Sequence, residues 1–213
     1  MSPRTAQQFK EIREDKMSLI MEAALKHFAG EGYFRSTINQ IAKQAGISNG
    51  LIYNYFDSKE ALLKAILHKS VNEIYQYLDI NRDGILEDDE FEFFIRKINT
   101  LLSGKRDFWR LLIQLLAQND VREQFLNAFP ETDSLIHLCH QPDDHLHLTR
   151  MIGMLADYFK RKKARMGDDY DPEAEFSMFV MTLTGFMITC VFSEEMDNGK
   201  NEDAIRRIIQ LYK

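Results

Sequence analysis

Two cysteines in 213 residues, Cys139 and Cys190, are too few for a disulfide framework and form no CxxC pair. That excludes a secreted disulfide scaffold and makes a reducing, cytoplasmic compartment the expectation. Four prolines, at positions 3, 130, 142 and 172, leave long stretches free to run as helix. No apolar run matches the roughly 20 residues that span a bilayer. The most apolar, Phe176 to Phe192, is interrupted by Ser177, Thr182, Thr184 and Thr189. The first residues, MSPRTAQQFKEIREDK, are too polar for a signal peptide or an anchor, so no membrane partner is expected. The short signatures of catalysis are also missing: there is no Gly-rich phosphate loop, no GxSxG and no HExxH. The chain is therefore not expected to be an enzyme.

What is present begins with an uneven charge. The net charge is −6, yet residues 1–70 hold ten Lys/Arg against seven Asp/Glu. The remaining 143 residues hold 17 against 26. A basic end on an acidic whole argues against wrapping nucleic acid broadly and for one local contact with phosphates.

Apolar residues recur at helical spacing almost throughout, with no alternating strands, so the expected fold is all-α. Residues 1–15 read as a mobile arm, 16–60 as a small three-helix domain and 61–213 as a larger helical domain. Leu19, Ile20, Ala23, Ala24 and Phe28 mark the first helix. Thr37 is a candidate N-cap for a short second helix carrying Ile38, Ile41 and Ala42, which Gly46 ends. Ser48 is placed to cap a third helix with Leu51, Ile52 and Tyr55, and Ser58 a fourth. Two short helices around Gly46-Ile47 form a helix-turn-helix pattern. The second of them, SNGLIYNYF, carries hydrogen-bonding and aromatic groups in place of charge, which suits contact with base edges and phosphates in the major groove.

The segment from Ala23 to Leu63 fits F…GY…TI..IA..AGIS.G.IYNYF.SKE.L at almost every position, and so resembles the TetR family of bacterial transcriptional regulators. The resemblance implies a homodimer that binds a palindromic double-stranded DNA operator as a repressor and releases it when a small-molecule inducer binds. It implies that Thr37 and Lys59 bind phosphates and that Asn39, Asn49, Gly50 and Leu51 face the DNA. Tyr53 and Tyr55 would meet the backbone or a base edge. The recognition helix carries no arginine to fork onto guanine. Phe56 is expected to pack inward, and Tyr53 is divided between packing and phosphate contact.

A second motif stands in the stretch DINRDGILEDDE, Asp79 to Glu90, which matches D-x-[DN]-x-[DN]-G-x₅-E at every fixed position. Calcium takes six to eight oxygens at about 2.4 Å. Asp79, Asn81 and Asp83 would offer side-chain oxygens, Ile85 its carbonyl, Glu87 an oxygen or a bridged water, and Glu90 two oxygens. Gly84 would make the sharp turn. An acidic turn between helices is the plain alternative. If the loop binds calcium, it could adjust the helix that precedes it, or mark a calcium sensor that binds a protein partner instead of DNA.

Three further features are ambiguous. The segment HLCHQPDDHLH, from His137 to His147, holds metal-ligand types without a standard zinc spacing. The tract KRKKAR, Lys160 to Arg165, reads as a solvated helix end. A set of aromatics and methionines including Phe108, Trp109, Met154, Tyr158, Phe179 and Met187 suits either an adaptable ligand cavity or an ordinary core. Helices near 145–166 and 171–196 are expected to pair across a dimer, with Met178, Met181, Leu183 and Gly185 near the interface.

Overall fold

The computed structural model describes residues 6–116, 147–193 and 198–213, and these contain helices and no strand. They are α1 Ala6–Glu31, α2 Ile38–Ala45, α3 Asn49–Tyr53, α4 Lys59–Tyr75, α5 Asp88–Gly104, α6 Arg106–Leu116, α7 His147–Met166, α8 Pro172–Phe192 and α9 Asn198–Tyr212. The chain divides into two compact units, Met1–Lys69 and Ser70–Lys213. The division falls nine residues beyond the boundary expected from sequence.

The expected arm is helical from Ala6 onward. No proline or glycine interrupts the stretch from Ala6 to Ala29, and neighbouring turns are joined by Gln7 to Glu11 at 2.9 Å and Lys10 to Glu14 at 3.8 Å. Residues 7–15 are exposed, which is why an apolar periodicity does not reveal them. Further along, α1 packs on α2, and α2 on α3. Ile20, Ala24, Phe28, Ile41 and Ile52 are buried to within 0% exposure, each contributing roughly 1.5–3 kcal/mol for the larger side chains.

In the second unit the core is aromatic. Phe91 of α5 stacks on Tyr158 of α7 at 4.6 Å between ring centroids. Phe159 and Phe179 lie 5.4 Å apart, and Tyr212 closes the cluster 5.3 Å from Phe179. The basic tract, which reads as a solvated end, is largely bound. Arg161 donates to the Leu86 carbonyl at 2.5 Å, and Arg165 forks onto Asp88 at 2.7 and 3.1 Å. Lys162 is 6% exposed and donates to the Tyr212 carbonyl at 2.7 Å.

The helix α8 is longer than its apolar core suggests. Asp171 caps it, accepting from the N–H groups of Glu173 and Ala174, and Pro172 fits the first turn. By length and composition it is the one described helix that could cross a membrane. Here it packs against α5, α6, α7 and α9. Its other side stays open, with Met181 68% and Met178 55% exposed. The helix α9 starts at Asn198, so the break expected at Asn198-Gly199 lies inside it. The helix expected over 120–128 and most of the histidine segment, with Cys139, lie outside the described residues.

Candidate nucleic-acid interface

Helix α2 is fixed at both ends by local chemistry. Thr37 has extended backbone and its hydroxyl accepts from Gln40 N–H at 3.3 Å. The Gln40 side chain reaches back to Thr37 N–H at 2.9 Å, completing a capping box. Gly46 takes φ 67, ψ 32, the left-handed conformation that any larger side chain resists. Ile47 N–H then returns to the Ala42 carbonyl at 3.0 Å. Ser48 stands at the N-cap of α3 without a side-chain cap bond, contrary to the capping role expected of it. Its hydroxyl is exposed beside Asn49.

The sequence-predicted contact residues are all at least partly exposed. Ile52 is fully buried beneath α3 and Phe56 is 5% exposed, as the packing role requires. Asn39, Asn49 and Gly50 are exposed, Leu51 is half-buried, and Tyr53 is 53% exposed. That exposure takes Tyr53 out of the core. Tyr55 is half-buried with the Arg13 guanidinium 5.1 Å from its ring centroid. Sequence reasoning missed Arg13, which lies in the stretch read as an arm.

Lys59 and Thr37 are both engaged within the protein. The Lys59 ammonium donates to the carbonyls of Tyr33 and Ser36, both at 3.1 Å, and sits 4.4 Å from the Tyr33 ring centroid. Beside it the Tyr33 hydroxyl donates to Glu60 at 3.1 Å. Burial first, and then the Glu60 charge, holds the Tyr33 phenol well above its usual range. Thr37 uses its hydroxyl in the capping box. Both residues therefore shape the surface from which a phosphate would be met.

The acidic loop winds as its motif requires in part. Arg82 takes φ 63 and Gly84 φ 77. Asp79 accepts Gly84 N–H at 3.2 Å, Asn81 accepts Asp83 N–H at 3.0 Å, and Asp83 accepts Ile85 N–H at 2.7 Å. The ligand set itself does not converge. Glu90 turns its two oxygens to the N–H groups of Ile80, Asn81 and Glu87 at 3.1, 3.4 and 3.2 Å. Asp79 accepts the Tyr75 hydroxyl at 2.5 Å with its other oxygen. Among the described residues no three His, Cys, Asp or Glu side chains are grouped to hold a metal ion. Of the residues expected to hold calcium, Asp79, Asn81, Asp83 and Glu90 each accept a hydrogen bond from a donor of the protein, and Ile85 follows them in the same loop.

Residues 20–66 match the model described as bacterial regulatory proteins, tetR family. An uncharacterized HTH-type transcriptional regulator, YerO of Bacillus subtilis, is 30% identical over 132 residues, which is 57% of this chain and 44% of that protein. The chain therefore spans less than half the length of this curated relative. Among solved structures, the fatty acid degradation regulator FadR from Bacillus halodurans superposes with a TM-score of 0.68. Its identity is 18%, over 92% of this chain and 94% of that one. FadR from Bacillus subtilis, solved in complex with stearoyl-CoA, gives 0.66 at 19% identity over 92% and 96%. These likenesses extend the fold over nearly the whole chain.

Proposed function

Because the chain carries the amino-terminal domain of the tetR family of bacterial regulatory proteins, we propose that it is a regulator of transcription, binding a palindromic operator as a homodimer and releasing it when a small molecule binds. One observation carries this reading. A fully buried Ile41–Ile52 seam presents Asn49 and Tyr53 outward beside a left-handed Gly46 turn. Such a surface has hydrogen-bonding groups for base edges and little charge of its own. Asn39, Asn49, Gly50 and Leu51 are assigned to the groove, Thr37 and Lys59 to phosphates, and Tyr53 and Tyr55 to the backbone or a base edge.

The open face of α8 supports the dimer. Met178, Val180, Met181 and Ile188 leave a run of apolar side chains uncovered, more than a lone soluble helix usually exposes. Two readers at a fixed spacing are what a palindrome demands. The FadR likeness, one of whose structures holds stearoyl-CoA, supports an apolar or acyl-bearing effector. Selection of bound sequences from random duplexes tests the whole reading. Enrichment of a two-fold symmetric site supports it, and no enrichment at low salt removes it.

Cation binding at Asp79–Glu90 is a separate and weaker component of the proposal. The winding at Arg82 and Gly84 favours it. An ion would have to draw Glu90 off three amide donors, so affinity in the millimolar class is the expectation.

A further inference from the structure

Beside the acidic loop lies a cavity of about 460 Å³ lined by Tyr75, Gln76, Asp79, Ile80, Arg82 and Arg150. Its volume falls within the range of small-ligand pockets. The helix α7 brings Arg150 over the Tyr75 ring, 5.7 Å from its centroid. The loop brings Arg82, held at φ 63, a conformation that costs a non-glycine residue free energy and persists only where its surroundings fix it.

The charges in this cavity are not equally spent. Asp79 is 4% exposed, and its two oxygens accept the Tyr75 hydroxyl and the Gly84 N–H. It subtracts one charge and offers no free acceptor directed at a ligand cation. Neither Arg82 nor Arg150 makes an ion pair among the described residues, although Arg161 and Arg165 on the same helix as Arg150 are both bonded to the protein. Two forked donors lining one cavity, neither ion-paired among the described residues, fit the planar or tetrahedral oxygens of a carboxylate or phosphate. The packing keeps Arg150 close: a Cβ added at Gly84 would meet its terminal nitrogen at 3.1 Å.

We propose that this cavity is an oxyanion site, in which Arg82 and Arg150 grip the carboxylate or phosphate head of a small molecule and Tyr75 floors it. The site stands on its own geometry. That this small molecule is the effector rests on the regulator reading, within which the site names the head group of the molecule that relieves DNA binding.

The test uses the full chain and three probes: inorganic phosphate, phenyl phosphate and benzoate. Each is titrated calorimetrically at constant ionic strength with chloride as the background salt. Saturable binding by at least one probe is expected, in the millimolar range for so small a head group. Arg82→Gln and Arg150→Gln are each expected to weaken that probe at least about tenfold, since each removes a charge-assisted fork. Arg150→Lys keeps the charge, loses the fork and falls between. Arg96→Gln, an exposed arginine paired with Glu92 elsewhere on α5, should bind as the parent does. Circular dichroism checks that each variant is folded. Binding by phosphate and phenyl phosphate alone assigns a phosphate head, and binding by benzoate alone assigns a carboxylate. The proposal is overturned by the absence of saturable binding, or by variants at 82 and 150 that bind like the parent. Operator binding is measured separately, so failure here leaves the DNA reading intact and failure there leaves this one intact.

Discussion

The ammonium of Lys59 hydrogen-bonds the carbonyl of Tyr33 at 3.1 Å and lies 4.4 Å from the same residue's ring centroid. A lysine expected to reach for phosphate is thus a brace between the start of α4 and the α1–α2 turn. Lys59→Ala should cost about 1–2 kcal/mol of stability, because it removes charge-assisted bonds at a part-exposed site. It should also weaken binding to all duplexes and lower the salt slope by about 1. Urea unfolding and salt-dependent binding measure the two effects separately. A salt-slope change with unaltered stability would make Lys59 a free phosphate contact and nothing more.

Asn49 is among the residues for which base readout is proposed. It is exposed at the start of α3. Asn49→Ala should cost roughly 1–3 kcal/mol on the selected site and relax choice at one position. Tyr53→Phe removes only the hydroxyl and should weaken specific and random DNA alike if that hydroxyl meets the backbone. Equal losses on both kinds of DNA from Asn49→Ala would take Asn49 out of the readout.

Much of the first unit was legible because its rules are local. A cap at Thr37, a left-handed glycine at 46 and a buried Ile52 each follow from a few neighbouring residues. What escaped were the uses of cations. Lys59 joins carbonyls 26 and 23 residues away, Lys162 one 50 residues away, and Arg161 and Arg165 partners 75 and 77 residues away. Nothing in the neighbouring sequence marks such staples, so Lys59 reads as a phosphate contact and the cations of 160–165 as a solvated helix end. Residues 7–15 of α1 escaped for the opposite reason: exposed all round, they show no apolar period. The acidic loop spells a calcium motif, yet the spelling does not say whether Glu90 faces an ion or the amides of its own loop.

Glu90 offers a direct test of that last point. Its carboxylate accepts from three backbone N–H groups while itself 9% exposed. Glu90→Ala leaves those donors unpaired and should cost about 2–4 kcal/mol. Glu90→Gln keeps one acceptor oxygen and should cost less. Millimolar calcium should raise the Tm of the parent and not that of Glu90→Gln, with magnesium substituting poorly. An unmoved parent Tm would leave the loop as a self-bonded turn.

Alkaline pH should loosen the fold through its phenols. Burial, then the Asp79 contact, pushes Tyr75 up to about 12. Burial and Asp88 push Tyr158 up, and burial and Glu60 push Tyr33 up, each further. The folded-state values lie above the unfolded value of about 10. The stability they contribute is therefore fully present below pH ~10 and is lost as pH rises through the folded values. Lys162 opposes this: burial lowers its folded pKa, so its contribution grows as pH approaches the unfolded lysine value. Tyr170, raised by burial, and Lys213, raised by Glu92, act in the same direction as these phenols, so with Lys162 alone opposing them a net fall in urea midpoint is predicted between pH ~9 and ~11.5. Phenolate absorbance, followed alongside, should rise late and together with unfolding. A midpoint that holds steady over that range would mean the phenols ionise without loss of the fold.

The dimer proposal rests on α8, and Met181 is its most exposed apolar residue at 68%. A buried methionine at a subunit interface contributes through dispersion and area. A lysine in its place brings two like charges toward a two-fold axis in a desolvated setting. Met181→Lys should therefore dissociate the dimer, with little effect on the fold of each subunit, because the side chain touches solvent in the single chain. Light scattering at micromolar concentration should report the parent at twice the chain mass and the variant at one. Binding to a palindrome should fall by orders of magnitude, while binding to a single half-site should change little. A variant that stays dimeric moves the interface off this face. A parent that is monomeric at micromolar concentration removes the two-reader geometry on which palindromic recognition depends.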